Sequence, residues 1–297
     1  MFDNRSQIVG VAVQGQVSSP ELPTLPASPY VIGADGRPRL LVPPGGIVYN
    51  VRVGDSAFGW AADMVQPGVS IKSPADGPNH ALNVIACLGN EAIVASGAAR
   101  GARGTVVGKS GRFADHVIVH FAADVLERLA IQDKVLVRAL GRSLALSDYP
   151  DVQLKSCSPA LLDALEVRAD EPGVLTVPVA AEVPPQLAGA GAGLQAESGA
   201  IQIQTEDEAA LREAGLDGLR LGDIVALRDF DTRWGPGYLA GATTIGVVAH
   251  GDSPRGGHGP GVTPLMTAAG ARLKPELRSE RNLADLLGLR AAEEAAA

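Results

Sequence analysis

The sequence predicts an α+β fold that is rich in β-structure, with mixed or antiparallel sheets of short strands and a few peripheral helices. The chain of 297 residues contains 36 Gly and 21 Pro but only 4% aromatic residues, a composition typical of short strands joined by tight turns. Short apolar or alternating segments are numerous, and few helical segments separate them. This pattern favours the α+β class over a doubly wound parallel sheet.

The first half of the chain consists mainly of predicted strands. Residues 7–17 alternate in part between polar and apolar side chains, as a half-buried strand does. Residues 30–42 are typical of a hairpin because Ala34, Asp35 and Gly36 supply its turn. Further strands are expected at residues 47–53, 81–88, 91–96, 105–108, 116–121 and 133–139, with a short helix at residues 122–130.

The second half contains more helical segments. Ser158 is a plausible N-cap and Pro159 occupies the first helical position, so a helix is expected over residues 159–165. The glycine-rich residues 188–194 fit either an active-site lid or a plain linker. Strands are expected at residues 174–183, 224–227 and 243–250, and helices at residues 206–214 and 282–297.

Chain length and composition limit the classes of protein. We expect a β-rich N-terminal region (residues 1–150) and an α/β C-terminal region (residues 151–297) that form one intimate unit. The net charge of −8 argues against nucleic acid or an anionic membrane as a general partner. The chain shows neither a secretory signal nor an apolar span of membrane length. With only Cys87 and Cys157, a reducing, cytoplasmic location is expected, and a homo-oligomer stays possible.

The C-terminal third carries the main candidate site. Asp229 and Asp231 closely follow an apolar strand, and residues two apart on a strand share a face. His250 ends the buried-looking strand 243–250, and His258 lies among glycines that permit close approach to a ligand. Two Asp and two His are ligands suited to Zn²⁺, Mn²⁺ or Fe²⁺. The same residues suit metal-free acid–base catalysis, and turn chemistry with ordinary hydrogen bonding is the alternative interpretation.

Other residues are candidates for substrate binding. Trp60 and Asp63 lie together in GDSAFGWAADMVQPGVS and suit the apolar wall and polar group of a pocket, unless Trp60 simply fills the core. Tyr238, with Trp234, lies in a Gly/Pro loop that walls a pocket or forms a surface turn. The basic residues of SGAARGARGTVVGK suit a phosphate or carboxylate, unless the segment is only a basic hairpin turn; they are Arg100, Arg103 and Lys109. His116 and His120 are expected to be structural.

Seven segments resemble one bacterial family. They are GDSAFGWAADMVQPGVS, ACLGNE, SGAARGARGTVVGK, HVIVHF, GDIVALRDFD, TTIGVVAH and GGHGPGV. They are similar to the proteins catalogued as domain of unknown function 4438, and the resemblance covers about residues 8–266. It implies a compact, β-rich mixed fold built as one unit, but it assigns no activity and no role to any residue.

Three functions follow from these patterns. The first is an enzyme, metal-dependent or acid–base, that acts on a small polar molecule, with hydrolysis of a C–N bond as the first choice; a lyase or isomerase would use much the same residues. The second is a non-enzymatic binding protein, either for a small molecule or with a regulatory role. The third is an RNA- or ribosome-associated module built on residues 96–109, against which the acidic net charge and the few aromatic residues count.

Overall fold

A computed structural model of the chain describes residues 3–22, 29–111, 114–191 and 196–290. Its strands are β1 (Val11–Val17), β2 (Tyr30–Ile32), β3 (Pro38–Leu40), β4 (Val69–Lys72), β5 (Glu91–Val94), β6 (Arg103–Lys109), β7 (Val117–His120), β8 (Lys134–Ala139), β9 (Gln153–Leu154), β10 (Arg168–Glu171), β11 (Val174–Val179), β12 (Ala181–Val183), β13 (Ile201–Gln202), β14 (Ile224–Asp231), β15 (Gly237–His250), β16 (Gly261–Ala268) and β17 (Leu273–Leu277). Its helices are α1 (Asp76–Ile85), α2 (Ala123–Leu126), α3 (Pro159–Ala164), α4 (Glu208–Glu213) and α5 (Leu283–Leu286). The β-rich character predicted from the sequence is confirmed.

Six strands of the N-terminal part close into a barrel in the order β1-β4-β7-β6-β5-β8. All its neighbouring strands are antiparallel. Side chains alternate between the two faces of a strand, and the apolar positions fill the interior: Val17, Val69, Ile71, Val117 and Val119 are fully buried there. The residues between them, which include Ser70 and Lys72, therefore face outward.

The C-terminal part is built on two mixed sheets. The larger runs β12-β14-β15-β16-β13, with β9 also paired to β16. In it β12 is parallel to β14, whereas β14, β15 and β16 are antiparallel. The smaller sheet has the order β10-β11-β17, and its β11 and β17 are parallel. Mixed pairing of this kind agrees with the sheets that the sequence predicts.

The barrel and the larger C-terminal sheet pack directly against each other. Val107 and Ile118 from the barrel share one buried cluster with Val247 and Leu265 from the sheet. At Gly108 a Cβ atom would lie 2.6 Å from the Cβ of Ala249, so glycine is required for this close approach. Over the ranges described, none of the helices is long and apolar enough to cross a lipid bilayer.

Several local predictions can be compared with the structure. The Ser158 side chain accepts a hydrogen bond from the Leu161 N–H and caps α3, as predicted. The hairpin of β2 and β3 is also confirmed. The predicted strand at residues 81–88 is wrong, because residues up to Ile85 belong to α1. Residues 192–194 of the glycine-rich segment and residues 291–297 of the predicted C-terminal helix lie outside the described residues.

Candidate functional site

The structure does not bring the four predicted C-terminal residues together. Asp231 pairs with Gly237 near the turn that joins β14 and β15. His250 ends β15, at the other end of the same hairpin. Thr243 pairs opposite Arg228, and the seven residues from there to His250 span roughly 23 Å at about 3.3 Å per residue. The predicted convergence of Asp229 and Asp231 with His250 and His258 is therefore wrong.

Asp229 and Asp231 stabilise the hairpin locally. Asp229 has a φ of 51° at a bulge of β14, and its Oδ1 accepts a hydrogen bond of 2.7 Å from the Gly241 N–H. Asp231 accepts hydrogen bonds from the backbone and the Nε of Arg233. Partial burial opposes ionisation of Asp231, but those bonds outweigh it and hold the pKa of the carboxyl below its ordinary value. Both contacts are turn chemistry.

His250 instead lies near Asp63 and His258. His250 is fully buried and its Nδ1 donates to the Gly251 carbonyl at 3.0 Å. Burial lowers its pKa, and the neighbouring charges of Asp63 and His258 act on it as well. His258 donates from Nδ1 to the Gly256 carbonyl at 2.7 Å. The two histidines are thus neighbours, but each already bonds to the backbone.

Asp63 is committed to a local network. Its Oδ1 accepts a hydrogen bond of 2.6 Å from Ser253, and its Oδ2 forms an ion pair of 3.0 Å with Arg255. Within the part of the chain that the structure describes, no three His, Cys, Asp or Glu side chains are grouped so that they could hold a metal ion. A divalent metal cofactor stays a prediction.

The other predicted binding residues are dispersed. Trp60 donates from its indole N–H to the Ser56 carbonyl at 2.8 Å and packs on the C-terminal core. Tyr238 is 70% exposed. Arg100 and Arg103 are exposed near the start of β6, whereas Lys109 is completely buried at its other end. The predicted basic patch of residues 96–109 is therefore not one surface, because the strand carries Lys109 into the interior.

A different place in the fold combines a cavity with reactive side chains. The cavity has a volume of about 630 Å³ and lies between the outer face of the barrel, helix α1 and the turn at residues 196–198. Its lining includes Ser18, Lys72, Asn79, Asn83, Asp115 and Ser198. A space of this size suits a small molecule.

Ser18 forms a hydrogen-bonded chain with two buried side chains behind the cavity wall. The Ser18 Oγ lies 2.9 Å from the His116 Nε2, and the His116 Nδ1 lies 3.2 Å from the Gln66 Oε1. The Gln66 oxygen also accepts from the Ser70 hydroxyl. An amide oxygen only accepts, so this orientation of Gln66 assigns the proton to Nδ1 and leaves Nε2 as the acceptor for the Ser18 hydroxyl. This is the order of nucleophile, base and orienting group. The Gln66 Nε2 is buried without a hydrogen-bond partner among the described residues.

Strand alternation places these residues. Ser18 follows β1, His116 precedes β7, and β4 lies between the two strands. Val17 and Val117 fill the barrel interior, so their chain neighbours Ser18 and His116 fall on the outer face, where they meet each other and Gln66.

Helix α1 fixes the segment that carries His116. Asn79 and Asn83 are four residues apart and both buried on one side of the helix. Their side-chain amides donate to the Asp115 carbonyl at 3.3 and 2.9 Å. Asp115 itself has a φ of 51°, a conformation that aspartate tolerates better than bulky residues do. The residue before His116 is thereby held in place.

His116 is neutral in this environment. Burial, together with the nearby positive charge of Lys72, lowers its pKa to about 4. An imidazole that remains unprotonated at neutral pH keeps the Nε2 lone pair for the Ser18 hydroxyl. The sequence singled out His116 only as a structural residue, because Ser18 and Gln66 lie 98 and 50 residues away along the chain.

Comparison with known families gives a clear match. The model for the N-terminal part of the domain of unknown function DUF4438 matches residues 30–163, and the model for its C-terminal part matches residues 164–287. The chain belongs to the DUF4438 family. The crystal structure of TM1086 is similar to this DUF4438 chain, with 38% sequence identity and a TM-score of 0.90 over 96% of this chain and 98% of that one. No curated protein matches the chain.

The DUF4438 match confirms the resemblance found in the sequence. Its N-terminal model includes Gln66 and His116 but begins after Ser18. The family description names no activity.

Proposed function

We propose that this DUF4438 protein is a hydrolase that acts on a small polar molecule in the cavity at Ser18, with a C–N bond of amide type as the first choice. Ser18 is the nucleophile, His116 the general base and Gln66 the group that orients the imidazole. The observation that carries the proposal is the 2.9 Å contact between the Ser18 Oγ and the His116 Nε2 at the wall of a cavity.

The proposed reaction uses the Ser18 hydroxyl, the His116 imidazole and water. The Ser18 Oγ attacks the carbonyl carbon while its proton passes to the His116 Nε2. The C–N bond then breaks, and the proton passes from His116 to the leaving nitrogen. Water, deprotonated by the same imidazole, hydrolyses the resulting ester and restores the Ser18 hydroxyl. Gln66 keeps the Nδ1–H in place throughout, as an amide does in Cys-His-Asn proteases.

The charges around the cavity favour a substrate that is neutral or positively charged. Among the described residues, three carboxylates line it, at Glu21, Asp76 and Asp115, against one ammonium group at Lys72. A net negative wall attracts cations and repels anions. We therefore expect amides or related compounds that carry an amino group, hydrolysed in the cytoplasm.

A binding protein without turnover is the second candidate, and the same cavity favours it. Its volume suits a small ligand whether or not Ser18 reacts. An RNA-associated role has less support, since Lys109 is buried and only Arg100 and Arg103 of the basic segment are exposed.

Covalent labelling tests the proposed nucleophile. A serine-directed fluorophosphonate, followed by peptide mass spectrometry, is expected to modify Ser18 in the intact protein. Ser18→Ala should abolish the label, whereas Ser19→Ala should keep it, since Ser19 is exposed and bonds only weakly to the Pro20 carbonyl at 3.4 Å. Equal labelling of the Ser18→Ala variant, or no labelling of the native protein, would contradict the proposal.

A substrate screen separates the two functions. Small amides that carry an amino group are incubated with the native protein, and released amine is measured. Turnover that disappears in Ser18→Ala supports the hydrolase. A compound that raises the melting temperature without turnover supports the binding protein. Metal analysis of protein purified without a histidine tag tests separately whether a divalent metal is present.

A further inference from the structure

A second group of polar side chains is buried between the barrel and the C-terminal sheet. Lys109 is completely buried at the end of β6. Its Nζ donates to the Ser156 Oγ at 2.8 Å and to the Glu197 backbone carbonyl at 2.7 Å. Both of these acceptors are neutral, so neither balances the charge of the ammonium group.

The nearby carboxylate is already used by another cation. Lys155 is 4% exposed in its side chain and forms an ion pair of 2.9 Å with Glu197. It also donates to the Arg233 carbonyl at 2.7 Å. Glu197 is half-buried, and its ionised form is favoured by Lys155 and by Arg142 despite partial burial, which leaves its pKa below the ordinary value. One carboxylate therefore faces several positive groups.

Arg142 is the third cation of this cluster. Its Nε and Nη2 are buried and have no hydrogen-bond partner among the described residues. These two nitrogens form one edge of the guanidinium plane, the edge that binds two oxygens of a carboxylate or phosphate side by side. An empty buried edge of this kind costs free energy unless a ligand occupies it.

The charges of the cluster do not balance. Among the described residues, Lys109, Lys155 and Arg142 carry three positive charges when protonated, and Glu197 carries one negative charge. The thiol of Cys87 adds none near neutral pH, because burial raises its pKa. Asp231 also acts on Lys155, but its carboxylate is already paired with Arg233. Buried charges that lack a counter-charge are strongly destabilising. Burial lowers the pKa of Lys109 to about 7, and the positive charge of Arg142 contributes to that shift.

We propose that Lys109, Arg142 and Ser156 form a binding site for a compact oxyanion, a carboxylate or a phosphate group, distinct from the Ser18 site. The anion would accept two hydrogen bonds from the Arg142 edge and one from Lys109, whose third N–H is not used by Ser156 or Glu197. The turn that carries Glu197 continues into Ser198, which lines the Ser18 cavity. The two sites therefore adjoin the same turn, and they use different side chains.

Anion titration of the full chain tests this site. Melting temperature and calorimetric binding are measured with phosphate and with acetate, at an ionic strength held constant with chloride. Phosphate or acetate is expected to raise the melting temperature in a saturable way, beyond the effect of the chloride control. The anion that binds more tightly identifies the class of ligand. Binding should weaken as pH rises above about 7, where Lys109 loses its proton.

Arginine variants locate the binding. Arg142→Gln should abolish the saturable effect, whereas Arg138→Gln should keep it, because Arg138 is exposed and pairs with Glu91 on the barrel surface. Arg142→Lys keeps the positive charge but removes the guanidinium edge formed by Nε and Nη2. The Kd for the anion should therefore rise at least about tenfold, and this variant tests the proposal even if Arg142→Gln does not fold. Unchanged affinity in the folded Arg142→Lys protein, or no saturable effect in the native protein, would overturn the proposal.

Failure of this site and failure of the hydrolase can be told apart. Ser18→Ala lies outside the anion site, so it should bind phosphate or acetate as the native protein does. Loss of anion binding in Ser18→Ala would contradict the assignment to Lys109 and Arg142.

Discussion

At the scale of single residues, His116 links the proposed chemistry to stability. Its pKa is lowered to about 4 by burial in the folded chain, against about 6.5 for an ordinary histidine. Between these values the unfolded chain binds a proton that the native chain does not. The contribution of His116 to the free energy of unfolding is therefore fully present above pH about 6.5. It is lost as pH decreases toward about 4, by roughly 3 kcal/mol for a pKa shift of this size.

Urea unfolding at a series of pH values measures this effect. Replacing the imidazole, as in His116→Asn, should flatten the fall in unfolding free energy between pH 6.5 and 4. The exposed His80 provides the matched control, and His80→Asn should leave the slope as it is in the native protein. The same slope in native and His116→Asn protein would show that His116 is not the buried neutral base.

The residues of the candidate site could be predicted only in part. His116 was visible in the sequence as one of two histidines on an apolar strand, yet nothing local connects it to Ser18 or Gln66. The contacts among them arise from pairing of β1, β4 and β7, which brings distant residues together. The prediction for Asp229 and Asp231 was wrong because aspartate is common both in short turns and in catalytic pairs.

At the scale of elements, the pair of β15 and β16 requires glycine opposite His250. Gly261 pairs with His250 in register, and a Cβ at Gly261 would overlap the imidazole ring. Both the ring and the surrounding sheet are fully buried, so neither has room to shift. Gly261→Ala should therefore destabilise the protein by about 2–4 kcal/mol.

Thermal and urea unfolding check this prediction. Gly237→Ala, at the other end of β15, is the control, because a Cβ there meets no atom within 4 Å, and its effect should stay within about 0.5 kcal/mol. A Gly261→Ala protein as stable as the control would mean that the His250 ring is not packed against β16.

Elements defined by local chemistry were the ones that the sequence predicted well. Helix α3 begins where Ser158 and Pro159 indicate, since a cap and a proline act on adjacent residues. The sequence predicts a strand at residues 81–88, yet α1 continues to Ile85. Short apolar runs have no period long enough to separate helix from strand, and here packing against β1 decides the outcome.

At the scale of the whole molecule, barrel closure lay beyond what the sequence could show. The barrel closes because β1 pairs with β8, which joins Val11 to Ala139 and Gln16 to Lys134. Such pairings depend on the net packing of all six strands and leave no local signature. The composition predicted short strands and tight turns, but it did not specify which strands are neighbours.

The buried cluster shared by the barrel and the C-terminal sheet predicts that the two parts unfold together. Ile118 belongs to β7 of the barrel, but its side chain packs in that shared cluster and is fully buried. The Ile118→Ala substitution should lower the free energy of unfolding by about 2–5 kcal/mol. It should also lower the midpoint of a single unfolding transition that is the same when measured by circular dichroism and by tryptophan fluorescence. Ile32→Ala is the control, since Ile32 is 57% exposed in β2. Two separate transitions, of which Ile118→Ala moves only one, would show that the barrel and the sheet are independent units.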